Sequence, residues 1–282
     1  MRRIIQYALM CAAVLFAAYV ARAAEVSAPT HAVAGTNVAL PTSGSGSATL
    51  FVFGPGTAIK KDIQLGKTVR LPLKHAGRYT AIVSGKATNF DVAPNTIDQV
   101  AFLARPSRVP ADRKDVIAGT VFLFDKERNL VTTPTPVNFD LTVAGGQPQV
   151  RNVQSKDGVA WVKLDSGRKA GAAQFVATAG SASVRRVVEE TAADPCNLRM
   201  HARPSKGGVI VETDPVRDCA GNPVPDGTIV TFTATSSKGR DTIDARVKQG
   251  VARAELPQLQ DATVSVASGV VLGNEIQVGG GM

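Results

Sequence analysis

After residue 23 the chain repeatedly alternates apolar and polar residues with period two. Val69, Leu71 and Leu73 alternate with Arg70, Pro72 and Lys74. Val137, Phe139, Leu141 and Val143 alternate with Asn138, Asp140 and Thr142. Val230, Phe232 and Ala234 alternate with Thr231, Thr233 and Thr235, and Ile243, Ala245 and Val247 with Asp244, Arg246 and Lys248. Successive strand side chains point to opposite faces, so each run predicts a strand with one buried face. Leu50 to Phe53 is an apolar run of strand length, and Ala76 to Val83 reads as a turn entering a strand. Asp157-Gly158, Gly145-Gly146, Gly221-Asn222-Pro223 and Asp226-Gly227 supply turns between such runs. No long 3.6-residue period occurs after residue 23. Short strands and frequent turns predict β-sandwiches.

The pattern also repeats at long range. Ala104-Arg105-Pro106-Ser107 recurs as Ala202-Arg203-Pro204-Ser205, and Val137-x-Phe139 as Val230-x-Phe232. Gly158-Val159-Ala160 followed by Leu164 recurs as Gly250-Val251-Ala252 followed by Leu256, and Gly180 matches Gly269. The offsets are 98, 93, 92 and 89 residues. Matches in one order with slowly drifting offsets indicate two copies of one domain. The predicted organisation is residues 1–23 for targeting, a divergent sandwich over 24–97, and two related copies over 98–190 and 191–282. Ala93-Pro94-Asn95-Thr96 and Glu189 to Pro195 are the expected linkers. Both are short, which favours a semi-rigid rod. Gly44-Ser45-Gly46-Ser47 reads as a flexible loop.

The first 23 residues break the strand pattern. Met1-Arg2-Arg3 is basic, Ile4 to Ala21 is interrupted only by Gln6, and Ala21-Arg22-Ala23 places small residues where a signal peptidase cuts. The combination predicts a cleaved secretory signal. An uncleaved anchor is the competing reading, because the apolar run approaches a bilayer span. Cys11 lacks the preceding small residues of a lipoprotein signal.

Export changes the meaning of the cysteines and of the charge. Only Cys196 and Cys219 remain after residue 23, an even pair that predicts a disulfide in an exported protein. The formal charge of +9 falls to +6 when Arg2, Arg3 and Arg22 are removed. Residues 24–97 carry +4, residues 98–190 carry +3 and residues 191–282 carry −1. No dense Lys/Arg run points to nucleic acid, while polyanions remain compatible partners of the first two segments. Gly 26 and Pro 16 of 282 residues serve as turn residues, and aromatics make up only 5%.

Asp218-Cys219-Ala220-Gly221-Asn222-Pro223-Val224, followed by Val230-Thr231-Phe232 and later by Gly250-Val251-Ala252, resembles bacterial immunoglobulin-like domains of the invasin/intimin type. The middle copy, Asp125-Lys126-Glu127-Arg128-Asn129-Leu130-Val131, is a weaker match that lacks the Gly and Pro. The resemblance implies an all-β chain of three tandem immunoglobulin-like β-sandwiches. It also implies a structural role as a stiff spacer in surface proteins, and it transfers no binding residue. The Cys196–Cys219 pair is not part of the general pattern. Tyr79, just after Ala76-Gly77-Arg78, resembles the tyrosine corner of such sandwiches, whose hydroxyl bonds to nearby backbone. A half-buried strand Tyr is the other reading.

Catalytic and cofactor motifs do not emerge. Gly66-Lys67-Thr68 has Lys61 where a phosphate-binding loop needs Gly, and no helix is predicted after it. His31, His75 and His201 sit in different contexts. Asp214, Asp218 and Asp226 read as turn formers, with a surface Ca²⁺ site as the sharper alternative. Trp161 is expected to point outward if Ala160, Val162 and Leu164 face the core, which makes it a candidate surface contact. The sequence therefore predicts an exported, non-enzymatic repeat protein of the periplasm, cell surface or medium. It would act as a cell-envelope adhesion, spacer or assembly module with a protein or envelope partner. It would bind no nucleic acid, no metal and no small-molecule cofactor. A secreted or periplasmic carbohydrate-binding protein is the alternative, and the oligomeric state is not legible.

Overall fold

A computed structural model describes residues 24–279. The expected targeting segment, residues 1–23 with Cys11, lies outside the described residues. The described residues, 24–279, form strands and no helix. By packing, the chain divides into two compact units. One joins the residues up to Gln99 with Leu123–Thr133, and the other joins Val100–Phe122 with Pro134 onward.

In the first unit, Ser47–Gly54 is central to a four-stranded antiparallel sheet with Thr57–Gln64, Gly77–Val83 and Lys86–Val92. Thr36–Leu40 pairs with Val69–Leu73 as a second ribbon. The alternation read in Val69–Leu73 is realised: Val69, Leu71 and Leu73 are buried. They join Leu40, Leu50, Val52, Ala81 and Val83 in one core. Tyr79 is fully buried in it and its hydroxyl donates to the His75 carbonyl at 2.9 Å. That bond satisfies a polar tip that burial would otherwise penalise by about 1–3 kcal/mol. Gly54 lies against the Tyr79 ring, where a Cβ would overlap it.

The second unit contains two sandwiches. The first faces a five-stranded sheet, ordered Arg108–Pro110, Ala182–Thr191, Gly171–Ala179, Pro136–Thr142, Gln149–Gln154, with a three-stranded one, ordered Val159–Leu164, Ile117–Phe124, Gln99–Arg105. Phe102, Phe139 and Phe175 meet in its core with ring centroids 4.9 to 6.1 Å apart. The second pairs the sheet Met200–Ser205, Gly208–Thr213, Arg253–Pro257 with the sheet Gly239–Arg246, Ile229–Ser236, Ala262–Ser268, Val271–Val278. Val230, Phe232, Val264 and Leu256 fill its core. The expected linker at Glu189 is shorter than the sequence suggests. Glu189–Thr191 continue the strand because they pair in parallel with Arg108–Pro110. Only Ala192, Ala193 and Asp194 remain between that strand and Pro195–Cys196.

Candidate functional site

The most organised polar sites are two loops that repeat each other at an offset of 93 residues. One begins at Asp218 and ends at Asn222, and the other begins at Asp125 and ends at Asn129. In the later loop, Asp218 Oδ1 accepts the backbone N–H groups of Ala220 (3.0 Å) and Asn222 (2.8 Å). Asn222 Nδ2 donates to Asp218 Oδ2 at 2.8 Å. In the earlier loop, Asp125 Oδ1 accepts from the backbone of Glu127 (2.9 Å) and Asn129 (2.8 Å), and Asn129 Nδ2 donates to Asp125 Oδ2 at 2.9 Å. A carboxylate that caps its own turn in this way gives a short loop a fixed shape.

Each loop then reaches outward with the same atoms. Asn222 Oδ1 accepts the Ala170 N–H at 2.9 Å, and its Nδ2 donates to the Arg168 carbonyl at 2.8 Å. Asn129 Oδ1 accepts the Ala76 N–H at 2.8 Å, and its Nδ2 donates to the Lys74 carbonyl at 2.8 Å. The outer oxygen of each aspartate takes a backbone N–H just beyond a terminal strand: Ala193 to Asp218 at 3.0 Å, Asn95 to Asp125 at 2.9 Å. Asp125, Asn129, Asp218 and Asn222 are all buried. Every polar atom engaged here has a partner, which is the condition under which a buried polar network stabilises. The turn's fourth position has a left-handed backbone in both copies, with φ of 89° at Gly221 and 64° at Arg128. Glycine adopts that conformation without a Cβ penalty, which Arg128 bears.

The later loop carries two reinforcements that the earlier one lacks. Pro195–Cys196 pairs with Arg217–Asp218, and Cys196 and Cys219 form a disulfide across that ribbon with Cα atoms 4.9 Å apart. Asp218 is also held as an anion. Burial alone would raise its pKa, but hydrogen bonds from the Asn222 side chain and the backbone of Ala193, Asn222 and Ala220 outweigh burial and lower it. A groove of about 290 Å³ lies alongside, lined by Pro110, Arg113, Asp194 and Pro225 among others.

Glu190 is the other buried carboxylate of note. Its Oε1 accepts the Gly167 N–H at 2.7 Å, while its buried Oε2 has no partner. Desolvation raises its pKa, the Gly167 bond opposes that, and the neighbouring charge of Glu189 adds to the rise.

The residues singled out from sequence fall in separate places. Trp161 is 61% exposed on Val159–Leu164, opposite Thr120. Lys67 lies before a strand, Val69–Leu73, and its carbonyl accepts from the Thr42 hydroxyl. His201 Nδ1 sits 3.6 Å from Asp214, and His75 serves Tyr79 through its backbone. Asp218 is committed to its own loop and to the Ala193 N–H. No group of three His, Cys, Asp or Glu side chains converges as a metal site among the described residues. The sequence reading set Asp125–Val131 against Asp218–Val224 as the weaker copy, and missed that the Asp and Asn of both copies fix their loops and reach other segments. That Asp and Asn are the only polar residues the two segments share, at 125 and 218 and at 129 and 222, was the available signal.

No protein-family model matches the chain, and no curated protein matches it in sequence. Solved structures do match in fold. The Escherichia coli adhesin FdeC aligns over 91% of this chain and 99% of its own, with a TM-score of 0.63 and 17% identity. InvD of Yersinia pseudotuberculosis aligns over 90% and 96%, with a TM-score of 0.52 and 13% identity. Invasin, a bacterial integrin-binding protein, aligns over 91% of this chain and 60% of its own, with a TM-score of 0.50 and 14% identity. The chain therefore has the all-β, immunoglobulin-like fold expected from its Asp218–Phe232 segment, arranged in tandem as in these adhesins.

Proposed function

We propose that the protein is an exported, non-enzymatic repeat protein of the cell envelope that works as an adhesion or spacer module. The observation that supports this most is a fold shared with FdeC across 91% of the chain. The Cys196–Cys219 disulfide fits an oxidising compartment. The two Asp–Asn loops fit a protein whose task is to hold sandwiches in register with their neighbouring loops. In this reading residues 1–23 direct export, 24–97, 98–190 and 191–282 are the three modules, and the partner is a protein or another envelope component.

Two measurements test the proposal together. Mass spectrometry of the envelope fraction should find a mature chain beginning at Ala24, and cells displaying the chain should adhere to a host or abiotic surface more than cells without it. A cytoplasmic chain still carrying residues 1–23, or display without any gain in adhesion or envelope integrity, would sink it.

A further inference from the structure

Val159–Leu164 is the outer strand of its sheet, and among the described residues no strand pairs with its far edge. Which main-chain groups face that edge follows from the two ends. Val159 exchanges two main-chain bonds with Lys156 across the Asp157-Gly158 turn, at 2.8 and 3.0 Å. Its N–H and carbonyl therefore point away from the neighbouring strand Ile117–Phe124. Main-chain groups alternate in direction along a strand, so those of Trp161, Lys163 and Asp165 point the same way as those of Val159. Asp165 agrees: the Gln149 side chain donates to its carbonyl at 2.8 Å and accepts its N–H at 3.1 Å. Lys156 thus closes the edge at one end and Gln149 at the other. Between them Trp161 and Lys163 aim two N–H and two carbonyl groups off the sheet.

Three side chains flank this opening. Trp161 and Lys163 lie on the outer face, opposite Thr120 and Ala118, and Trp161 is 61% exposed. Arg151 projects from the same side of its strand as Gln149, since Phe139 and Leu141 oppose the two, and along the chain it falls between the two closures. Lys163 and Arg151 are exposed, and neither belongs to an ion pair among the described residues. The nearby acids, Asp157 and Asp165, stand at the closed ends. In the related last sandwich Arg253 and Glu255 take the places of Trp161 and Lys163, at the offset of 92. Both are engaged there, Arg253 with Glu212 at 3.8 Å and Glu255 with the Ser205 hydroxyl. A lysine on an edge strand repels indiscriminate strand pairing and favours an acidic guest.

We infer that this opening takes a short, extended, acidic segment of a partner protein as an added antiparallel strand. The guest would exchange main-chain bonds with Lys163 and Trp161. It would set a carboxylate beside Lys163 and Arg151, and two residues later lay an aromatic or aliphatic side chain on Trp161. The open groups come as an N–H and a carbonyl on alternate residues, about 7 Å apart, which is the repeat of another extended main chain. A polymer of hydroxyls and sulfates offers no such paired donor and acceptor. An antiparallel second copy of this chain does not fit either. Pairing its Lys163 with Trp161 would put its Asp165 opposite Val159, where Lys156 stands. A register shifted by two residues leaves half of the open groups without a partner, because Lys156 or Gln149 already holds the groups opposite them. The inference deepens the adhesion reading by naming a partner class, and rests on it only for its setting.

Trp161 is the only tryptophan of the chain, so its emission reports on the opening directly. The purified chain from residue 24 is titrated with the capped peptide Ser-Thr-Glu-Val-Phe-Thr-Ser. Trp161 emission should move to shorter wavelength and saturate with a Kd on the order of 0.1 mM. Methylating the amide nitrogens of the peptide's Glu and Phe, which face the edge, should weaken binding about tenfold or more. Methylating that of its Val, which faces away, should change binding by less than about twofold. Lys163→Glu should weaken binding about threefold, and a peptide with Lys in place of Glu should recover it in that variant. No saturable change up to millimolar peptide, an equal loss for both methylated peptides, or a change with a heparin oligosaccharide but none with the peptide overturns the inference. Cells that still adhere while the purified chain ignores the peptide would leave the adhesion reading standing without it.

Discussion

At the scale of single residues, Asn222 and Asn129 have the largest leverage for their size. Asn222→Ala removes bonds to Ala170, Arg168 and Asp218 at once, and strands buried main-chain groups. Leaving buried groups unpaired costs more than the bonds themselves contributed. Chemical denaturation should show a loss of about 2–3 kcal/mol for Asn222→Ala. The two perturbed carboxylates act in opposite directions with pH. The folded pKa of Asp218 lies below its ordinary 3.8, so its stabilisation is full above 3.8 and is lost as pH falls through the lower folded value. The folded pKa of Glu190 lies above its ordinary 4.5, so protonation favours the fold below 4.5, and that advantage is lost as pH rises through the folded value. Thermal melts should therefore be most favourable in mildly acidic buffer. Asp218→Asn should remove the decline on the acid side, and Glu190→Gln the decline on the other.

At the scale of elements, the disulfide belongs to the linker as much as to the sandwich. Cys196 and Cys219 join a ribbon of two residues a side, too short to persist on its own. The crosslink spans 23 residues, so the chain-entropy argument gives about 3 kcal/mol. Reduction should speed amide hydrogen exchange from Pro195 to Asn222 while exchange in the strands around Tyr79 stays as it was; uniform acceleration in both would contradict a local role. Strand positions were the most legible part of the sequence. Period-two runs such as Val69–Leu73 and Val230–Ala234 map directly onto buried faces, because burial on one side of a sheet is what generates the alternation. Tyr79 was legible too, since a hydroxyl forced into a core must find a nearby carbonyl. The Asp–Asn loops were only half legible. Asp218 and Asn222 read as turn residues, which they are. Their bonds to Arg168, Ala170 and Ala193 join segments as much as 54 residues apart, and local pattern carries no record of that. The start of the second linker was misplaced for a similar reason: Glu189 to Thr191 look like linker until Arg108–Pro110 pairs with them.

At the scale of the whole molecule, the division into compact units does not follow the repeat boundaries. Leu123–Thr133 lies within the second repeat in sequence but packs with the residues before Gln99. The bonds of Asp125 and Asn129 to Asn95, Lys74 and Ala76 give the reason. Substitutions in the two loops should therefore register in different cooperative units. In calorimetry, Asn129→Ala should lower the transition of the first unit by roughly 4–8 °C for each kcal/mol lost, given its size near 100 residues. The transition of the second unit should hold, and Asn222→Ala should show the reverse. Effects at distant, independent sites add. A single transition that shifts equally for both variants would show that the units unfold together.

Each asparagine grips its neighbouring loop by main-chain groups alone: the carbonyls of Lys74 and Arg168, and the amides of Ala76 and Ala170. A fastening that reads only the main chain is blind to the side chains it holds. The gripped loops are thus free to vary in sequence so long as their path is kept, and one sandwich is in principle interchangeable with another behind the same five-residue loop.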